Sequence, residues 1–427
     1  MWWLARHDES PWQVVSGHPG LETAARPARL AWGRVALLAS VLAILVATLS
    51  PGEWTQTEGR PEGLDGRLAD VLLNLALFAP FGAALGQRGR SVRQALALGT
   101  LLSGAVELAQ LWVPGRTAGL SDVVVNAAGT VLGWAVWRTT PVWAAPSHLV
   151  AGRLAMTAAV VASATIGLTG LLLEPMFPTT PYFAHWTPEF GHLRTYGGRV
   201  QDTSVGGVKV SPGVIKNVAG LRSSLRARES VRVTAVAGPA VAGLAPIVSI
   251  NDWQREIVLV GLDGEDLVYR FRTRGASLGL DSPELRVAGA LRGVHAGDRL
   301  AITVTPERRA YCVDVNGTVT CGVGYTAAMG WALLMYGQGI PPAFHWFFSI
   351  LWLAGLALPV GYWSRMHWQS VVAGAVLVAG LLLLPAATGL APTTWSELAW
   401  ALVGLLVGTA LQVFSGDNSP SGSGRTP

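Results

Sequence analysis

Eight apolar stretches long enough to cross a bilayer limit the folds that this chain can adopt. A membrane-spanning helix needs about 17–25 mostly apolar residues. Only 13% of the 427 residues are charged, whereas ordinary soluble domains carry about 25%. In lipid the backbone must satisfy its own hydrogen bonds, which favours helices. The predicted spans are residues 31–50, 68–86, 94–112, 121–137, 150–173, 343–363, 370–390 and 395–414.

These spans describe a polytopic α-helical membrane protein with one large polar insertion. The first residues lack a short apolar core with a small-residue cleavage site, so we predict a tail rather than a signal peptide. The last residues are rich in Gly, Ser and Pro, which is typical of disorder. The predicted order is a cytoplasmic tail (1–30), a four-helix domain (31–140), a fifth span (150–173), an outer domain (174–342), three spans (343–414) and a disordered tail (415–427).

The arginines beside the apolar stretches predict the orientation of the chain. Loops rich in Lys and Arg tend to stay in the cytoplasm. With eight spans, both termini are then cytoplasmic and residues 174–342 are extracytoplasmic. The basic residues are not gathered into one patch, so the isoelectric point near 9.5 does not indicate nucleic acid. The orienting arginines include Arg26, Arg29, Arg34, Arg88, Arg90 and Arg93.

The two cysteines support the same orientation. Cys312 and Cys321 flank a hairpin signal in which Asn316-Gly317 suits a two-residue type I′ turn. Counting back from that turn places the two sulfurs opposite one another, near enough to bond. A disulfide implies an oxidising compartment. Two free thiols on a hairpin are the alternative.

The outer domain reads as an antiparallel β-sandwich. Short alternating segments such as 231–236, 256–260 and 300–305 are separated by glycine-containing turns. Trp253 is a candidate for stacking on a sugar ring, although a sandwich also needs core aromatics. No cofactor is predicted, and calcium at Asp252 is an open alternative no better supported than ordinary loop polarity.

Three pairs of polar residues lie inside the second, third and fourth apolar stretches. Each pair has a spacing of three or four, which places both members on one helix face. Carboxylates and amides inside a membrane span are costly and usually mark a site. The predicted topology puts all three pairs near the extracytoplasmic surface. The pairs are Asp70 with Asn74, Glu107 with Gln110, and Asp122 with Asn126.

Arg116, in the loop after the third span, lies at the same predicted depth. Its guanidinium could pair with the carboxylates or bind a phosphate or carboxylate of a ligand. A purely structural role is an open alternative for two of the acids. Asp70 and Asp122 fall in first helical turns, where acids favour the helix dipole, whereas Glu107 lies away from any helix start.

The order and spacing of these residues resemble the VanZ-like family, which is named for a teicoplanin-resistance protein. The resemblance covers residues 31–140 and includes Asp70-Val-Leu-Leu-Asn74, Glu107-Leu-Ala-Gln110 and Asp122-Val-Val-Val-Asn126. It implies a small polytopic domain of the bacterial envelope, in the cytoplasmic membrane, without naming a reaction. The family often has a further polar residue where this chain has Ala118-Gly119-Leu120.

The outer domain is similar to concanavalin A-like or laminin-G-like sandwiches, many of which bind carbohydrate. Together the resemblances imply an accessory or binding role in handling envelope glycan or lipid-linked precursors, or in glycopeptide tolerance. The expected partners are the lipid bilayer and such a ligand. An enzyme that acts on a phosphorylated or glycosylated lipid, with Glu107, Asp70 and Asp122 as catalytic candidates, is the second hypothesis. A purely structural scaffold is the third.

Overall fold

The computed structural model describes residues 19–50, 68–113, 118–190, 193–253, 255–335, 340–364 and 368–416. The elements fall into two compact units. The first comprises Met1–Ser50, Asn74–Gln110 and Asp122–Arg138, and the second comprises Pro51–Leu73, Leu111–Ser121 and Thr139–Pro427.

Four helices supply most of the first unit, and their ends follow the apolar stretches closely with one exception. They are α1 (Pro19–Leu49), α2 (Leu68–Gln87), α3 (Val92–Gln110) and α4 (Leu120–Arg138). The exception is α1, which begins at Pro19 although a tail was predicted to residue 30. Leu, Glu, Ala and Arg fill most of positions 19–30 and favour helix, so the helix extends into the predicted tail.

Glycines allow α2 and α4 to approach closely. A Cβ atom at Gly133 of α4 would overlap the carbonyl oxygen of Ala79 in α2, and one at Gly82 of α2 would overlap the Thr130 carbonyl oxygen. Small residues permit such backbone contact between membrane helices. Gly82 and Gly133 therefore serve the packing of α2 against α4.

The helices of the second unit are α5 (Thr140–Trp143), α6 (His148–Leu172), α7 (Val218–Arg226), α8 (His345–Trp363), α9 (Trp368–Thr388) and α10 (Trp395–Gly416). Helix α6 packs along α9, and α8 packs along α10. At Gly404 and Gly408 of α10, a Cβ would overlap carbonyl oxygens of α8. Close glycine contacts therefore hold this helix pair as well.

Six helices in the described residues are long and apolar enough to cross a membrane, where eight spans were predicted. They are Leu68–Gln87, Leu120–Arg138, His148–Leu172, Pro342–Trp363, Trp368–Thr388 and Trp395–Val413. Of the other two predicted spans, α1 contributes the apolar segment Gly33–Leu49 among the residues whose side chains the structure describes. Helix α3 is less apolar because it contains Arg93, Glu107 and Gln110. The chain is a multi-pass membrane protein.

The predicted sandwich consists of two six-stranded antiparallel sheets. The sheet orders are β4-β1-β6-β7-β8-β9 and β12-β11-β10-β5-β2-β3. The strands are β1 (Phe183–Trp186), β2 (Arg199–Val205), β3 (Val208–Lys209), β4 (Gly213–Val214), β5 (Val231–Val236), β6 (Ala245–Asn251), β7 (Glu256–Asp263), β8 (Asp266–Phe271), β9 (Glu284–Val287), β10 (Arg299–Pro306), β11 (Tyr311–Val315) and β12 (Thr318–Val323).

A cluster of aromatic rings lies in the core of the sandwich. Tyr269, Phe271 and Tyr311 have ring centroids 5.3–5.8 Å apart, and Tyr325 lies 5.4 Å from Phe271. Burial raises the pKa of Tyr311 to about 12, because desolvation disfavours the phenolate. Its hydroxyl therefore stays neutral at physiological pH.

The predicted disulfide and its turn are present. Cys312 is bonded to Cys321. Asn316 and Gly317 both have positive φ, as a type I′ turn requires. The predicted register holds from Val315–Thr318 to Val313–Thr320, and a bulge then shifts the pairing between Tyr311 and Val313.

Replacing both cysteines by serine is expected to destabilise the sandwich by about 2–3 kcal/mol, since the bond closes a short loop and removes denatured-state entropy. Hydrogen exchange of β10–β12 peptides from the full-length protein would measure this loss. Reducing the wild-type protein should produce the same change. If neither treatment accelerates exchange in β11 and β12, the bond adds nothing to stability.

Candidate functional site

Helices α3 and α4 pack in antiparallel register through a line of small and polar residues. The Asn126 side-chain amide donates to the Ser103 hydroxyl at 2.9 Å. One turn along, a Cβ at Gly99 would lie 2.5 Å from the Thr130 hydroxyl oxygen. From the first pair to the second, the residue number falls by four on α3 and rises by four on α4. The residues of both pairs therefore lie on the stripes where the two helices face each other.

Continuing this register by one more turn places Glu107 of α3 opposite Asp122 of α4. Glu107 is 8% exposed and Asp122 is half-buried. Both residues take part in an interaction in the structure. Two carboxylates at neighbouring positions repel when both are ionised, so a positive charge or a hydrogen-bond donor at this level would stabilise them.

The Asn126 amide is buried and only partly satisfied. The side chain is 2% exposed, and its Oδ1 has no hydrogen-bond partner among the described residues. A Ser103 hydroxyl can either donate or accept. In either orientation of the amide, therefore, one end bonds Ser103 and the other end lacks a partner. A buried polar atom left unpaired lowers the stability of the fold by about 1–3 kcal/mol. The site therefore contains a polar atom that does not stabilise the fold.

Gln110 links the end of α3 to the end of α1. Its amide nitrogen donates to the Thr48 carbonyl oxygen at 3.1 Å, and the side chain is 8% exposed. Thr48 and Gln110 lie within two residues of the helix ends, while Asp122 lies in the first turn of α4. The polar side chains thus gather at one end of the first unit.

The remaining members of the predicted set have different positions. Asn74 is half-buried on α2. Asp70 lies in the first turn of the same helix, as the capping alternative requires, and its segment belongs to the second unit. Arg116 lies outside the described residues. The structure therefore brings Asn126 to Ser103, and the same register predicts that Glu107 lies opposite Asp122.

The two candidate residues of the sandwich, Asp252 and Trp253, contact other residues of the same domain. The Asp252 carboxylate forms a 2.6 Å ion pair with Arg272 and accepts the Arg255 backbone N–H at 2.7 Å. Those contacts occupy both oxygens that were considered for calcium. Trp253 is 73% exposed and packs edge-on against Phe183 with centroids 4.5 Å apart.

Among the described residues, one group of side chains is spaced for a metal ion, namely Glu307 with Cys312 and Cys321. Its two sulfurs form the disulfide. Oxidised sulfurs are not the thiolates that metals require.

Two participants in the α3–α4 interface were missed from the sequence. Thr130 and Gly99 look like ordinary small residues of apolar spans, and only the pairing of the helices reveals their contact. A signal did exist for Thr130, because Asp122, Asn126 and Thr130 recur every four residues and form one polar stripe.

Comparison with known proteins supports the resemblance of the helical region. The fold defines a multi-pass helical membrane protein with an inserted sandwich, and the polar stripe lies in its N-terminal helices. Residues 27–143 match the model of the family described as VanZ/LLP1. This chain therefore carries a VanZ-like segment, which is a little over a quarter of its length. Neither the curated proteins nor the solved structures gave a match.

Proposed function

We propose that the VanZ-like helices bind the polar head group of a lipid-linked envelope glycan and thereby contribute to envelope maintenance and glycopeptide tolerance. The observation that carries this proposal is the buried Asn126 amide, which has one bonded and one unbonded end. Polar groups in membrane spans are usually retained for function. As oriented, Oδ1 accepts hydrogen bonds, which suits the hydroxyl and amide N–H groups of a glycan.

The surroundings of Asn126 add acceptors of the same kind. Glu107 supplies a buried carboxylate one turn from Ser103, and Asp122 lies one turn from Asn126. Sugar hydroxyls donate readily to carboxylates. Arg116, which follows α3 in the sequence, is the proposed partner for a phosphate in the same ligand. The positive-inside prediction places this end of the helices on the extracytoplasmic side.

The sandwich is proposed to act with the helices as an accessory domain on that side of the membrane. Its disulfide suits an oxidising compartment. The resemblance to carbohydrate-binding sandwiches is the support for a lectin-like role. That role is separate from the site at Asn126, so each can be tested alone.

Asn126→Leu is expected to lower host tolerance of teicoplanin to the level of a strain that lacks the gene, at unchanged abundance of the protein in the membrane. Leucine removes both the unbonded end and the Ser103 bond while filling a similar volume. The matched control is Thr130→Val, because among the described residues the Thr130 hydroxyl bonds just the Asn126 carbonyl of its own helix, at 3.0 Å. Growth across a teicoplanin series measures the effect. Equal tolerance in the strains that carry the wild type, Thr130→Val and Asn126→Leu would reject the proposal.

An enzyme at the same site is the second candidate, and the register that places Glu107 opposite Asp122 favours it. Paired carboxylates can divide acid and base roles. Glu107→Gln separates the two functions, because glutamine preserves shape and hydrogen bonding but cannot transfer a proton. A binding site retains tolerance with this variant, and an enzyme loses it.

A further inference from the structure

The end of the sandwich that adjoins the membrane helices can be located from backbone contacts within the second unit. The Met176 N–H donates to the Arg272 carbonyl at 2.8 Å, and the Arg274 N–H donates to the Glu174 carbonyl at 2.8 Å. These bonds join the residues after α6 to the residues after β8. The C-terminal end of β8 therefore lies beside the end of a membrane helix.

Helices α9 and α10 meet the same end of the sandwich. The Ala391 N–H, from the loop between them, donates to the Tyr325 carbonyl at 2.8 Å. Glu397, 2% exposed in the first turn of α10, accepts the Ala328 N–H at 3.2 Å. Three helix ends thus contact one end of the sandwich, which we call the base.

Two large apolar side chains are exposed at this base. Trp253 lies in the turn between β6 and β7 and is 73% exposed, while Leu278 ends a short 3₁₀ helix (Arg274–Leu278) and is 52% exposed. The Arg255 guanidinium donates to the Ala276 carbonyl, so the turn and the 3₁₀ helix are held together. Gly275 of that 3₁₀ helix lies against the Leu172 carbonyl at the end of α6.

The membrane helices carry exposed tryptophans near the same base. Trp346 is in the first turn of α8 and is 59% exposed; Trp395 begins α10 and is 87% exposed. Tryptophan concentrates where hydrocarbon meets the head groups. Trp395 is two residues from Glu397, which bonds the base directly. The base therefore lies at the level of a tryptophan belt.

We infer that Trp253 and Leu278 insert into the head-group region of the leaflet next to the sandwich, so that this domain is docked on lipid. The partner of this surface is the bilayer, because the surface is continuous with the ends of the helices that cross the bilayer. An indole with an apolar body and one N–H suits this interface. The inference assigns Trp253 to lipid rather than to a sugar, and it is independent of the site at Asn126.

Nitroxide labels on Trp253→Cys and Leu278→Cys, each in the full-length protein in nanodiscs of phosphatidylcholine and phosphatidylglycerol, test this inference. The native cysteines are bonded to each other, so only the introduced thiol reacts. The control is Glu265→Cys, an exposed site at the turn where β8 begins, about 17 Å along the strand from the base.

Both base labels are expected to give a several-fold higher ratio of oxygen to nickel-chelate accessibility than the label at position 265. Nickel accessibility at both base sites equal to that at position 265 would overturn the inference and return Trp253 to the aqueous face. The two base variants replace exposed side chains, and either one alone reports the depth of the base.

Discussion

Gly133→Ala is expected to destabilise the VanZ-like helices by about 3 kcal/mol or more, the upper end of the range for overpacking. The added methyl overlaps the backbone carbonyl of Ala79. A backbone atom cannot rotate away as a side chain can, so α2 and α4 must separate. Thermal unfolding of the full-length protein in detergent, followed by size-exclusion chromatography, measures the loss.

Gly104→Ala is the matched control for this substitution. Gly104 is on α3, and none of the described residues lies within 4 Å of the position that its Cβ would occupy. Alanine favours helix over glycine by up to about 1 kcal/mol, so this variant should equal or exceed the wild type in stability. Similar behaviour of the two variants would contradict the glycine contact between α2 and α4.

Asp252→Ala is expected to destabilise the sandwich by about 3–5 kcal/mol, because it leaves a buried guanidinium without its counter-charge. The side chains of Arg272 and Asp252 are 9% and 3% exposed, and their charged atoms are 2.6 Å apart. Asp252 also accepts the Thr180 hydroxyl at 3.2 Å. Hydrogen exchange of peptides from β6, β7 and β8 in the full-length protein measures the effect.

Asp202→Ala provides the comparison for an exposed ion pair. The side chains of Lys209 and Asp202 are 70% and 54% exposed, and exposed pairs contribute about 0–1 kcal/mol. We therefore expect little change in exchange from this variant. Equal acceleration by the two substitutions would show that burial of the Arg272–Asp252 pair is not what makes it important.

Local signals were enough to predict much of the fold. Asn316-Gly317 determined the turn, the register beside it and the position of the disulfide, because each depends on residues close in sequence. The lengths of the apolar stretches predicted the long helices in the same way. Helix α7 was missed, although Asn217 caps it by accepting the Gly220 N–H at 3.0 Å and its apolar residues recur at helical spacing.

The sequence could not predict which residues far apart in the chain contact one another. Arg270 and Arg272 alternate with Tyr269 and Phe271 in the sequence, but this alternation gives no reason for the two arginines to be buried. They are buried because Glu256 binds Arg270 at 2.7 Å and Asp252 binds Arg272. The partnership of Ser103 with Asn126 likewise depends on which helices adjoin. Helical spacing identified the polar faces and could not identify their neighbours.

Mass spectrometry of the lipids that remain bound to the purified protein tests most directly whether Asn126 belongs to a binding site. The account predicts that a glycan-bearing lipid stays with the wild type and with Thr130→Val and is lost from Asn126→Leu. It also predicts that Asn126→Leu changes the unfolding temperature little, since the substitution removes one buried unpaired atom but also removes the amide that bonds the buried Ser103 hydroxyl. An unchanged set of bound lipids in Asn126→Leu, or loss of lipid only together with lower thermal stability, would contradict the account.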